Sequence, residues 1–165
     1  MNTTVSRMQL LRGNFTGGKD VLRPPWAVDE ESFLDGCTRC DVCRDHCPTN
    51  IIVAGSGGFP IVDFSNGECT FCGDCGNHCE PGVLSSSARE NGDRPWAYLA
   101  RFTRACLNRL GILCRGCGDH CIAGAIRFRP VLGGALMPTV ASDRCTGCGA
   151  CHAPCPVGAI EIGRF

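Results

Sequence analysis

Sixteen cysteines in this chain fall into four runs of four. They are Cys37, Cys40, Cys43 and Cys47; Cys69, Cys72, Cys75 and Cys79; Cys106, Cys114, Cys117 and Cys121; and Cys145, Cys148, Cys151 and Cys155. The first, second and fourth tetrads read C-x2-C-x2-C-x3-C, and the third has five extra residues after its first cysteine. Thiolates suit soft metal centres, and a cubane [4Fe-4S] cluster has four iron corners that each take one. Cysteines three residues apart let a tight loop wrap one face of the cube and reach three corners. The fourth cysteine then sits on the following turn, splayed away from the others. Structural zinc sites use well-separated pairs of ligands, for which three consecutive cysteines at this spacing are awkward. The sixteen cysteines are therefore read as iron ligands.

In bacterial two-cluster ferredoxins the fourth cysteine of one motif serves the other cluster. Applied here, Cys79 would complete the first set and Cys47 the second, Cys155 the third and Cys121 the fourth. Spacing alone does not fix this pairing. The stretched third tetrad either opens a loop that still reaches a cube or leaves Cys106 out. Three to four [4Fe-4S] clusters are expected, and four are favoured, because an empty third tetrad would strand Cys155 in the crossed scheme. His46, His78 and His120 each precede the last cysteine of a tetrad, and His152 follows Cys151. They read as polar residues on duplicated turns in preference to iron ligands. No nucleophile–base arrangement, phosphate loop or nucleotide fingerprint is present, so no catalytic residue is assigned and no enzyme activity is expected.

The elements that carry these motifs come twice. Arg23-Pro24-Pro25-Trp26 precedes Cys37 much as Arg94-Pro95-Trp96 precedes Cys106, and Gly57-Gly58 recurs 76 residues later as Gly133-Gly134. Each glycine pair suits a hairpin turn, where positive φ is needed. The flanking strands would be Ile51-Ile52-Val53 with Phe59–Phe64, and Ile126-Arg127-Phe128 with Ala135–Val140. Trp26 and Trp96 would cap a small core in each repeat. The expected fold is small α+β and metal-dominated: tandem bacterial-ferredoxin-like units with short hairpins and short helical turns, two clusters in each. The boundaries read as an N-terminal extension (1–28), a first unit (29–88) and a second (89–165). Units this small bury too little apolar surface to fold firmly alone, so metal binding would contribute folding free energy directly.

Formal charge is zero but unevenly spread. Residues 29–80 carry ten acids against Arg39 and Arg44, and residues 89–129 carry eight arginines against three acids. The first 25 residues contain no apolar run of export-signal type and no twin-arginine pair, and nothing approaches membrane-span length. A soluble, cytoplasmic protein is expected, in a compartment where thiols stay reduced and bind metal. Nothing suggests a nucleic-acid partner.

Arg23-Pro24-Pro25-Trp26, Cys37-Thr38-Arg39-Cys40-Asp41, Gly57-Gly58-Phe59-Pro60 and the stretched third tetrad followed by Phe128-Arg129-Pro130 resemble the NapF family, and the similarity runs over nearly the whole chain. The resemblance implies a cytoplasmic iron–sulfur accessory protein. Its partner would be the catalytic subunit of periplasmic nitrate reductase before export, and its role the maturation of that subunit. One departure is Met8 after Arg7, where a second basic residue is expected. The alternative is a polycluster ferredoxin that carries single electrons to a reductase complex.

Overall fold

The computed structural model describes residues 21–164. The extreme N-terminus, with Arg7, Met8 and most of the expected extension, lies outside the described residues. The chain forms two compact units, one of residues up to 63 together with 71–95, the other of residues 64–70 together with 96 onward. The repeat in the sequence places both boundaries differently. Phe64 explains part of the difference: within the second unit its ring meets Trp96 edge-on at 6.1 Å and lies over Gly149.

In the first unit, helix α1 (Glu30–Gly36) opens with Asp29, whose side chain accepts from the Ser32 amide at 3.0 Å. Glu30 and Glu31 in its first turn suit the positive helix end. One helical turn, α2 (Val42–Asp45), follows the first cysteine loop. Strands β1 (Ile52–Ala54) and β2 (Pro60–Val62) pair antiparallel, Ile52 opposite Val62. The glycine pair between them lies at φ 66° and 76°, so the expected hairpin is present. A second turn, α3 (Asp74–Asn77), and the short helix α4 (Ser86–Glu90) complete the unit. Ala27 makes an antiparallel bridge to Leu84, tying the start of the unit to its end. Trp26, Phe33, Ile51, Ile52, Phe59, Val62, Val83 and Leu84 are buried.

In the second unit, β4 (Ile126–Pro130) and β5 (Leu136–Val140) form the matching hairpin over Gly133-Gly134. A further pair has no counterpart in the sequence reading: β3 (Leu99–Phe102) lies antiparallel to β6 (Ile160–Gly163). Phe102 faces Ile160 much as Ala27 faces Leu84 in the first unit, so both units close start against end. The turn α5 (Gly116–Asp119) carries Cys117 and ends two residues before Cys121, the last cysteine of the third tetrad. The buried core here is Ala100, Ala125, Ile126 and Ile160 together with Cys117, Cys145 and Cys151. Thiols thus supply a large part of what little core there is, as expected for a unit too small to fold on apolar burial alone.

Candidate iron–sulfur sites

Each cysteine loop needs an unusual backbone. In the first tetrad Arg39 and Asp41 are left-handed, at φ 58° and 62°. The matching positions of the second tetrad are Phe71 and Gly73, at 55° and 86°, and of the fourth Gly147 and Gly149, at 72° and 84°. Alternating left-handed residues turn successive amides to one side and form an anion-binding concavity, which suits a cube carrying four thiolates. Each non-glycine residue held this way costs about 1–2 kcal/mol, so Arg39, Asp41 and Phe71 are strained in the absence of a compensating ligand. Glycine is required at 147, where a Cβ would collide with the Tyr98 carbonyl, and at 149, where it would enter the Phe64 ring.

The third tetrad solves the problem differently. Arg115 follows Cys114 as Asp41 follows Cys40, yet its φ is −130°. The seven-residue gap folds as a 3-10 turn over Leu107–Leu110 that ends on left-handed Gly111. Asn108, 4 % exposed, clasps the loop shut. Its Nδ2 donates to the Cys114 carbonyl at 2.6 Å, and the Cys114 amide donates back to Oδ1 at 3.3 Å. The clasp folds the extra residues outward while Cys106 stays buried and lines the same cavity as Cys114.

Three cavities show which sulfurs come together. One is lined by Cys37, Cys40, Cys43 and Cys79, with Phe33, Pro60 and Val83. A second is lined by Cys106, Cys114, Cys117 and Cys155. A third is lined by Cys121, Cys145, Cys148 and Cys151. Each holds three cysteines of one motif and the last cysteine of another. Burial, reinforced by neighbouring Cys37, Cys40 and Cys79, pushes the Cys43 thiol up to about 11. Burial and then Cys114, Cys106 and Cys155 push Cys117 up to about 11. Burial and then Cys148, Cys145, Cys117 and Cys121 push Cys151 up to about 12. Burial also raises Cys37, although nearby Arg23 acts against it.

Thiols crowded in this way resist ionisation unless a cationic centre joins them, which fits iron. Among the described residues no three cysteine, histidine or acidic side chains lie close enough to hold one ion. The four sulfurs that line each cavity match the one thiolate taken by each of a cube's four iron corners. Of the second tetrad, Cys69 belongs to the second unit, where its amide donates to the Cys148 carbonyl at 2.8 Å. Cys72, Cys75 and Cys79 belong to the first unit with Cys47, and Cys75 is buried.

The amides of Ala125 and Ala159 donate to the sulfurs of Cys121 and Cys155 at 3.3 and 3.2 Å, bonds that stabilise anionic sulfur. Arg23, which the sequence marks only as part of a repeated element, is a hub. It is 6 % exposed, bonds both Glu30 carboxylate oxygens at 2.7 and 2.9 Å, and donates to the Pro60 carbonyl at 2.9 Å. Its guanidinium also lies 4.7 Å from the Phe33 ring centre. Arg94, at the corresponding place in the repeat, is exposed. Trp26 is buried and its indole donates to the Asp93 carbonyl, so it caps the first core. Trp96 is only half-buried, bonded to the Thr146 carbonyl.

Three histidines close helical turns. Ring Nδ1 of His46, His78 and His120 bonds the carbonyl four residues back, at 3.0, 2.9 and 2.8 Å. The nitrogen is the donor, since a carbonyl can only accept. His46 and His78 also stack at 3.8 Å. The Nδ1 of His152 is buried without a hydrogen-bond partner.

Residues 112–159 match the family model described as a 4Fe-4S dicluster domain. Over 160 residues the chain is 42 % identical to the ferredoxin-type protein NapF of Escherichia coli K12, covering 97 % of this chain and 95 % of that protein. This chain belongs to the NapF family of ferredoxin-type proteins. The ferredoxin-type protein NapF of Haemophilus influenzae is 45 % identical over 149 residues, covering 90 % of this chain and 80 % of that one. A further relative, the methylamine utilization ferredoxin-type protein MauM of Methylobacillus flagellatus, is 34 % identical over 168 residues, covering 93 % and 71 %. The chain is an iron–sulfur protein built on the ferredoxin pattern. Among the described residues no helix is long and apolar enough to cross a membrane.

Proposed function

We propose that this protein acts in the cytoplasm as a maturation factor for the catalytic subunit of periplasmic nitrate reductase, through four [4Fe-4S] clusters. The observation that carries the reading is the near-full-length identity to NapF proteins. Three clusters would lie in the cavities described, each held by three cysteines of one motif and one from another. The remaining set follows from the sequence pattern alone. Bound clusters supply reversible one-electron chemistry. The chain's own part is to hold them: left-handed loops aim amides inward, Ala125 and Ala159 donate to sulfur, and Phe33, Phe102 and Ile160 line the cavities with apolar surface. The Arg23 cation near Cys37 offsets part of the anionic charge.

Two measurements test this. Iron and acid-labile sulfide on protein purified without oxygen should reach about 16 of each per chain, four cubanes. The purified protein should also bind the unexported catalytic subunit stably, and loss of this protein should lower nitrate reductase activity. Zinc without sulfide would overturn the cofactor, and no stable binding would overturn the maturation role. A second reading, a one-electron carrier, draws on the ferredoxin-type relative from methylamine utilization. Rapid reoxidation of the clusters by a reductase complex, without stable binding, would favour it.

A further inference from the structure

The clasped loop of the third tetrad leaves its outer face uncovered. Leu110, Ile112 and Leu113 are 64 %, 54 % and 71 % exposed, and all three lie between Cys106 and Cys114. Val157, 42 % exposed, lines the cavity of the same tetrad. Single exposed apolar side chains are ordinary on a soluble protein. Three within four residues approach the few hundred Å² that mark a contact surface. Arg104 and Arg109 stand exposed in the same stretch, and among the described residues neither pairs with a carboxylate. By contrast Arg101, on β3, is bonded to Glu161 at 2.7 Å. The first and second tetrads, with only two residues in their first gap, have no room for such a loop. Its turn is already set by the two Asn108 bonds, so little ordering would be needed on binding.

We propose that residues 104–113 and Val157 form a docking surface for a protein partner whose matching face is acidic around an apolar centre. The inference rests on the proposed function, which supplies that partner: the precursor of the catalytic subunit. Because the loop begins and ends at cysteines of one cavity, a partner seated on it lies against the third tetrad and not the first or fourth. A second copy of the chain also offers an acidic stretch, residues 29–80. That contact would join unlike surfaces and propagate into open chains unless its rotation closed a ring, which favours a separate partner.

The test uses the full chain purified without oxygen and, as probe, the purified unexported catalytic subunit. One variant combines Leu110→Ser, Ile112→Ser and Leu113→Ser, and a second combines Arg104→Glu and Arg109→Glu. Iron and sulfide per chain check that each is assembled, and Leu113→Arg alone carries the test where the triple variant fails to assemble. The apolar variant should bind about 30-fold more weakly or worse, mainly through faster dissociation. The charge variant should associate about 10-fold more slowly, with the deficit shrinking as salt is added. Unchanged binding by fully loaded variants, while the parent protein binds, overturns the docking surface and leaves the proposed function standing. A parent protein that does not bind the subunit at all overturns the proposed function, and the docking surface falls with it. Self-association of the parent in sedimentation, abolished by Arg104→Glu and Arg109→Glu, overturns the separate partner in favour of a second copy.

Discussion

Replacing Asn108 with alanine tests whether the clasp is what lets a stretched motif hold a cluster. The substitution removes a 2.6 Å bond to the Cys114 carbonyl and a 3.3 Å bond from its amide, at a side chain only 4 % exposed. Each bond contributes about 1 kcal/mol net, and a buried carbonyl left unpaired costs about 1 kcal/mol more. The total, about 3 kcal/mol, shifts the balance between closed and open loop by about 150-fold. Cys106 and Cys114 stand at the two ends of that loop, so opening it separates two of the four sulfurs around one cavity. Asn108→Ala protein purified without oxygen should carry about 12 irons and 12 sulfides per chain where the parent carries about 16. Whatever third cluster remains should be lost first to a chelator. Asn108→Asp should fare worse, because it sets a carboxylate oxygen against the Cys114 carbonyl in place of a donor. Equal iron content and equal chelator resistance in Asn108→Ala and the parent would show that the clasp does not hold the third site together.

Other outcomes follow from the same geometry. Arg23→Ala removes a buried donor to the Pro60 carbonyl and the contact with the Phe33 ring, and should destabilise the first unit by about 3 kcal/mol. Amide exchange in Ile52–Ala54 reads this directly, and unchanged protection there would contradict it. Gly149→Ala forces a left-handed alanine into the Phe64 ring and should cost about 3 kcal/mol, with a measurable loss of iron. Gly158→Ala, also left-handed but with open space around the added carbon, should cost only about 1 kcal/mol on thermal unfolding. In the metal-free chain Cys43, Cys117 and Cys151 sit above the ordinary thiol value of 9.0, so each carries a proton at neutral pH that must leave before iron binds. Cluster assembly should therefore release protons, and its yield should rise with pH as neutral solution becomes alkaline, with no plateau below the thiol values. Yield that falls over that range, in a reconstitution followed by sulfide content, would show the sign to be wrong.

The parts of the fold legible in the sequence were those with short-range signals. Gly57-Gly58 and Gly133-Gly134 announced two hairpins, and cysteine spacing announced the helical turns of α2, α3 and α5. The pairing of β3 with β6 was not legible, because Leu99–Phe102 meets a partner about sixty residues away and neither short strand has a hairpin turn beside it. Left-handed glycines at 73, 147 and 149 could be guessed from residue type. Arg39, Asp41 and Phe71 could not, since the loop imposes that conformation against their preference. Nothing in the sequence marks Asn108 directly, and Arg23 stands out only as part of a repeated element; the packed structure shows both buried and bonded. A hint existed for Asn108: a buried clasp is one way to close a gap with five residues too many. The histidines repeated with the tetrads because a ring four residues from a carbonyl closes each short turn.

The start-to-end closure of the second unit also dictates when the protein can mature during its own synthesis. β3 is translated some sixty residues before β6, its partner strand. At the roughly 5–20 residues per second of a ribosome, β3 waits for seconds with its edge unpaired. Ile160–Gly163 must then clear the exit tunnel before this unit can close. The first unit meets its own closing residue, Leu84, before β3 is even translated, and can close earlier. A chain stalled between the two, even with its first unit loaded and closed, would stay open in its second, where proteases could reach the unpaired strand.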